Sequence, residues 1–195
     1  LGSGKYIVVT NLMGILRYLP NTKLYKNKII DINKDMDIDR DDFINKLFDL
    51  GYEKKPVVSR TGEMAIRGYV IDIFPIEFDN PIRIEFWGDT IDSIKYFDLE
   101  NQISNTSIDS VKIYPYTEFL IDGKIEDNII RKQKYLLNYS DSVSGLWDYV
   151  SDSVIFYYDY NQIINSYSLL RENILEYDSE LDDDIKTNYM WNIED

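Results

Sequence analysis

The 195-residue chain carries 35 acidic against 21 basic side chains, a formal charge of −14, and has neither cysteine nor histidine. Disulfides, thiolate or imidazole metal sites and histidine-based acid–base chemistry are excluded, and autonomous binding to a polyanion such as DNA is disfavoured without a local basic patch. With 44% apolar and 14% aromatic residues, the chain can bury the core of one medium domain or two small ones. The only basic clusters, Lys23 to Lys28 and Arg131 to Lys134, read as solvated faces. No apolar run approaches the ~18 residues of a membrane-spanning helix, and no signal peptide is evident. The chain starts at Leu1 without methionine and runs at once into an apolar stretch, as expected of a segment of a longer protein.

In chain order, Ile7-Val8-Val9 predicts a buried strand, and Asn11 caps a helix over Leu12 to Leu19 that Pro20 stops. Leu24, Ile29, Ile30 and Ile32 predict extended structure. Asp39 is placed as the N-cap of an amphipathic helix whose apolar positions are Phe43, Ile44, Leu47, Phe48 and Leu50, with Gly51 as its stop. Short strands follow: Met64 to Arg67, Tyr69 to Phe74 after an interruption at Gly68 that suggests a bulge or a close backbone approach, Ile82 to Trp87, Ile91 to Phe97 and Val111 to Tyr114. A Thr61-Gly62 turn, a loop from Pro75 to Pro81 and a Gly88-Asp89 turn punctuate them. Further on, a charged helix is predicted over Ile125 to Leu137, a short helical run over Leu146 to Val150 and a buried strand over Val154 to Tyr158. An amphipathic helix over Asn161 to Tyr177 turns Ile163, Ile164, Tyr167, Leu170 and Ile174 inward, and Glu180 to Asp184 form an acidic, mobile tail. One helix and about five antiparallel strands make a compact α+β unit of roughly eighty residues, flanked by strand-and-helix segments of α/β character.

Strand parity singles out one sheet face. In Ile82 to Trp87 the isoleucines and Phe86 point towards the helix, leaving Arg83, Glu85 and Trp87 on the other side, with Arg67 and Tyr69 on a nearby strand. Arginine, tryptophan and tyrosine are enriched at binding hot spots. The same pattern also fits a cross-strand ion pair of Arg67 or Arg83 with Glu85 beside a half-buried Trp87. Other motifs are weaker. Gly2-Ser3-Gly4-Lys5 lacks the following Ser/Thr of a phosphate loop and precedes its strand rather than following one. Asp35-Met36-Asp37-Ile38-Asp39 lacks the glycine and closing glutamate of a calcium loop. Carboxylates such as Asp41, Asp42, Asp72, Glu85, Asp89 and Asp92 show no spacing that marks a catalytic pair, although an acidic hydrolase remains the alternative of a different class.

The runs Leu50-Gly51-Tyr52-Glu53-Lys54, Gly62-Glu63-Met64-Ala65-Ile66-Arg67-Gly68-Tyr69-Val70-Ile71-Asp72-Ile73-Phe74-Pro75 and Pro81-Ile82-Arg83-Ile84-Glu85-Phe86-Trp87-Gly88-Asp89-Thr90-Ile91-Asp92-Ser93-Ile94 occur in one order, followed by Phe97-Asp98 and Ile113-Tyr114-Pro115. Together they resemble the UvrB interaction domain, shared by the excinuclease component UvrB and the transcription-repair coupling factors. Gly62-Glu63 and Ile91-Asp92-Ser93-Ile94 resemble the coupling-factor branch more than UvrB, which stands as the nearer alternative. The resemblance implies an α+β domain over residues 37–118 inserted in a partial α/β domain made of 1–36 and 119–195.

It further implies that the excinuclease component UvrA binds through Arg67, Arg83 and Glu85, with Lys54, Tyr69 and Trp87 completing the surface. Lys54 stands where UvrB has arginine, Ala65 replaces an arginine and Tyr69 an aspartate, so the face is more aromatic. For this segment the resemblance implies no catalytic residue, cofactor, metal, membrane contact or DNA site. ATP, magnesium, RNA polymerase and double-stranded DNA belong to the motor and other domains of a bacterial cytoplasmic translocase. Tyr157-Tyr158-Asp159-Tyr160-Asn161-Gln162 is similar to the tyrosine-rich damage-probing hairpin of UvrB. That hairpin precedes the interaction domain, whereas this run follows it, so the likeness is read as coincidence.

Overall fold

The computed structural model describes residues 7–122, 136–140, 142–150, 153–179 and 190–192. The chain divides into two compact units, Lys23–Leu120 and, from its two ends, Leu1–Thr22 with Ile121–Asp195. The predictions at Gly2 to Lys5, over most of Ile125 to Leu137 and at Glu180 to Asp184 fall outside the described residues.

Asn11 caps α1 (Leu12–Leu16) by accepting from the Gly14 amide at 2.9 Å. This helix ends at Arg17, short of the predicted Leu19, because the residue before Pro20 is pushed to extended backbone. Leu19–Pro20 instead form a short strand, β1, antiparallel to Val143–Ser144. Extended structure is expected next, but α2 (Thr22–Lys28) is a helix, with Lys26 and Lys28 favourable in its last turn. Strand β2 (Ile30–Asn33) follows and pairs antiparallel with Ser110–Ile113, so it belongs to the central unit rather than to the region preceding residue 37.

In the central unit α3 (Arg40–Asp49) starts at Asp39, whose carboxylate accepts from the Asp42 amide at 2.7 Å. Its end is a Schellman motif: Tyr52 N–H donates to Leu47 O (3.1 Å) and Gly51 N–H to Phe48 O (3.0 Å), with Gly51 at φ +90°. Six strands form one sheet: β3 (Glu53–Lys54), β4 (Glu63–Arg67), β5 (Val70–Ile73), β6 (Ile82–Trp87), β7 (Thr90–Phe97) and β8 (Ser104–Ile108). They lie in sequence order, antiparallel throughout except for β3 on β4. The last strand, β9 (Ser110–Ile113), completes the pair with β2. Strand β8 (S-N-T-S-I) has no apolar alternation, so nothing in the sequence marks it. Gly68 is not a bulge. Arg67 pairs with Val70, and Gly68-Tyr69 is the two-residue loop of the β4–β5 hairpin, with the glycine at φ +58°. The one shift between β6 and β7 falls after Glu85, where Asp92 is the extra residue.

Phe43, Leu47 and Leu50 of the α3 segment pack on Met64, Ile71, Ile73, Ile82, Ile84, Phe86, Ile91 and Ile94 of the sheet, and Ile32, Val111 and Ile113 join them. Burying each such side chain contributes about 1.5–3 kcal/mol.

The outer unit contains α4 (Leu136–Tyr139), β10 (Val143–Ser144), α5 (Leu146–Tyr149) and α6 (Tyr160–Ser179). Asp159 caps α6 through the Gln162 amide at 3.1 Å. As predicted, Tyr167, Leu170 and Ile174 face inward, against Leu12, Ile15, Leu16, Met190 and Trp191, while Ile163 and Ile164 are half-buried. Two predicted strands are absent: Ile7 to Val9 and Val154 to Tyr158 are irregular and exposed. An apolar β-branched run becomes a strand only where another strand satisfies its backbone, and no described residue pairs with either. No described helix is long and apolar enough to cross a membrane.

A Cβ at Gly51 would lie 2.6 Å from Thr117 Cβ, on top of the left-handed backbone cost. Gly51→Ala is expected to lower unfolding free energy by at least about 1–2 kcal/mol, read as a shifted urea midpoint with unchanged slope.

Candidate functional site

The register of the sheet assembles one face opposite α3. Asp72 lies between Ala65 on β4 and Arg83 on β6, and Arg83 faces Lys95 on β7. One pair further along, Val70, Glu85 and Ser93 form a second row. Asp72 is central and only 1% exposed. A buried carboxylate without partners costs several kcal/mol, and here both oxygens are occupied. Arg83 donates from Nε to Oδ1 at 2.7 Å and from Nη2 to Oδ2 at 3.0 Å, and Arg67 donates from Nη2 to the same Oδ2.

Arg83, 16% exposed, has little left for a partner. Its Nη1 reaches Gln102 O at 3.1 Å and Ser104 Oγ at 3.4 Å, and its Cζ lies 4.7 Å from the centre of the Phe97 ring. The β7–β8 loop delivers Gln102. Asp98 accepts from the Glu100 and Asn101 amides at 2.9 and 3.0 Å, and Gln102 sits at φ +61°. The hydrogen bond to Asp72 raises the Arg83 pKa further above its ordinary value. Arg67, at the end of β4, keeps 44% of its side chain exposed.

Glu85 takes Lys95 Nζ at 2.7 Å and Ser93 Oγ at 2.5 Å, and these bonds, Lys95 first, hold its carboxyl below the usual range. The ion pair that parity allowed therefore exists, but the arginines pair with Asp72 and Glu85 pairs with Lys95. Trp87 is 82% exposed rather than half-buried, and Tyr69 at the neighbouring hairpin tip is also exposed. The tips are tied together: Phe86 N–H donates to Tyr69 O at 2.8 Å, and Arg40 of α3 donates to Gly68 O at 2.5 Å. Arg67, Tyr69, Glu85 and Trp87 thus share one end of the face. Lys54 does not join them. It sits on the edge strand in register with Met64, the parity of the α3 side.

Ala65, Val58, Phe74 and Phe97 form a small second core at the other end of the face, with Leu99 against it. Parity alone passed over Asp72 and Lys95. Asp72 stands between Ile71 and Ile73, and an acid at the outward position of an apolar strand is a legible signal once Gly68 is read as a turn and the register is fixed.

Residues 30–119 match the family model described as "UvrB interaction domain". That stretch of the chain is similar to UvrB interaction domains. Curated relatives named transcription-repair-coupling factor agree. That of Staphylococcus haemolyticus (strain JCSC1435) is 38% identical over 121 residues, covering 62% of this chain and 10% of the relative. That of Staphylococcus aureus (strain bovine RF122 / ET3-1) is 37% identical over the same length. The Staphylococcus epidermidis (strain ATCC 12228 / FDA PCI 1200) protein is 34% identical over 136 residues, covering 70% of this chain and 12% of the relative. The chain therefore spans about a tenth of the length of the relatives it matches. The matched stretch lies within the unit that holds the Asp72 face.

Because the folded Glu85 carboxyl lies below its usual value of about 4.3, its ion pair contributes stability above that value and loses it as pH falls through the lowered one. Wild type is expected to exceed Glu85→Gln by under about 1 kcal/mol at pH 7. Urea titrations should show that gap unchanged at pH 5 and closing well below pH 4.

Proposed function

We propose that this chain is the UvrA-recruiting module of a transcription-repair coupling factor, and that its UvrB interaction domain docks UvrA through the hairpin-tip end of the Asp72 face. The carrying observation is that Arg67, Tyr69, Glu85 and Trp87 stand together, exposed or partly exposed, on a sheet whose opposite side is closed by α3. A rigid platform with one cation, one ion pair and two large aromatics suits protein recognition, where aromatic and arginine side chains carry much of the binding energy. It does not suit hydrolysis. Both oxygens of Asp72 are taken by arginine, and Glu85 is paired with Lys95, so neither is a free general base.

Arg83 contributes to docking mainly by holding this face in shape, and Lys54 lies outside it. The segment needs no cofactor and turns over no ATP. In the whole protein, ATP-driven translocation on DNA and contact with stalled RNA polymerase belong to other domains, and the setting is the bacterial cytoplasm.

Titration of UvrA from the same organism tests this. Wild type is expected to bind, with Arg67→Ala and Trp87→Ala each costing about 2 kcal/mol or more and Lys54→Ala staying within about 0.5 kcal/mol. A folded wild type that fails to bind UvrA rejects the reading.

A further inference from the structure

The electrostatics of the exposed face are unequal. Glu85 and Lys95 cancel, whereas one Asp72 carboxylate serves two guanidinium groups, leaving one positive charge uncompensated. That charge falls to Arg67. The donors of Arg83 are turned to Asp72, Gln102 and Ser104, and its face lies on Phe97. Arg67 makes one bond to Asp72 and keeps 44% of its side chain exposed, on the strand that runs into the Gly68-Tyr69 tip pinned by Arg40 from α3. An arginine side chain held by a buried carboxylate loses less rotamer entropy on binding than a free one.

The geometry points to Asp72 as the positioning residue of this surface: from a site no partner can touch, it fixes the Arg67 guanidinium so that its outer edge receives a carboxylate of the docking protein, while Tyr69 and Trp87 offer apolar contact at the hairpin tips. This rests on the recruitment reading and names its chemistry. The partner patch is acidic at Arg67 and apolar around it. Asp72 and the partner carboxylate act on the same guanidinium, so their contributions are coupled. A counter-charge role would have the opposite sign. If Asp72 merely lowered the local positive potential, removing its charge would strengthen attraction to an acidic partner.

The test has two arms. In the free protein, NMR of the arginine side chains is expected to show restricted rotation of the Arg67 guanidinium, released in Asp72→Asn while backbone shifts away from the site stay in place. A freely rotating Arg67 in wild type overturns the proposal whatever binding does. In the second arm UvrA is titrated at low and moderate salt against wild type, Asp72→Asn, Arg67→Ala and the double variant. Asp72→Asn is expected to weaken binding on the order of tenfold, with little further loss in the Arg67→Ala background. Additive losses, or tighter binding by Asp72→Asn at low salt, overturn it. Should Asp72→Asn not fold, Arg67→Lys decides. It keeps the charge without the fork and is expected to bind as poorly as Arg67→Ala, whereas wild-type affinity refutes positioning. A wild type with an ordered Arg67 that does not bind UvrA rejects the recruitment reading and the docking role with it, while leaving the ordering of Arg67 established.

Discussion

A carboxylate that is almost wholly removed from water must be neutralised by its surroundings, and the outer face of this sheet is arranged around that requirement. Asp72 cannot remain charged at the centre of β5 unless cations converge on it. They come from both neighbouring strands, Arg67 from β4 and Arg83 from β6, and Arg83 extends the network to the β7–β8 loop through Gln102 and to β8 through Ser104. One buried charge therefore ties four strands together across their outer surface. The inner surface is fixed separately by the packing of α3. Since breaking one partner of a buried pair costs about 3–5 kcal/mol, the outer face is held almost as firmly as the core.

That arrangement splits the face into two ends with different physics. At one end Ala65 lies beneath Val58, Phe74 and Phe97, and the Phe97 ring carries the Arg83 guanidinium. The resemblance places an arginine of UvrB at the position of Ala65. A long charged side chain there would have to open this small core, so the alanine is a packing choice as well as a lost charge. At the other end the loop position that holds aspartate in UvrB is Tyr69, and Trp87 stands exposed nearby. The surface has exchanged charge for aromatic contact area, which favours slow dissociation over electrostatic steering.

Most of the central unit was legible because several local signals agreed. The capping aspartate, the apolar stripe and the terminal glycine together define α3, and strict alternation in β6 defines both faces of the sheet. Legibility failed where an element is set by its partners. Strand β8 has no apolar alternation and exists because β7 offers it an edge. Ile7 to Val9 and Val154 to Tyr158 have strand composition, yet find no pairing partner among the described residues. The site shows the same division. Parity placed Arg67, Arg83, Glu85 and Trp87 on the outward side but could not say which acid each arginine meets. That depends on register, and the register follows from Gly68-Tyr69 being a two-residue turn, which the sequence reading of Gly68 did not include.

The −14 charge of the chain makes the uncompensated arginine more informative than it would be on a basic protein. At physiological ionic strength, charges more than about 8 Å apart are largely screened. The surrounding acids therefore repel an acidic partner surface only weakly before contact, while Arg67 attracts a carboxylate strongly once contact is made. Such a surface gains little from long-range capture. In the proposed docking, selectivity would come from the last few ångströms, where a misaligned partner leaves a desolvated guanidinium unpaired. Short-range discrimination of that kind requires the cation to be held still, and a buried carboxylate beneath it, beyond the reach of solvent and partner alike, is a direct way to do so.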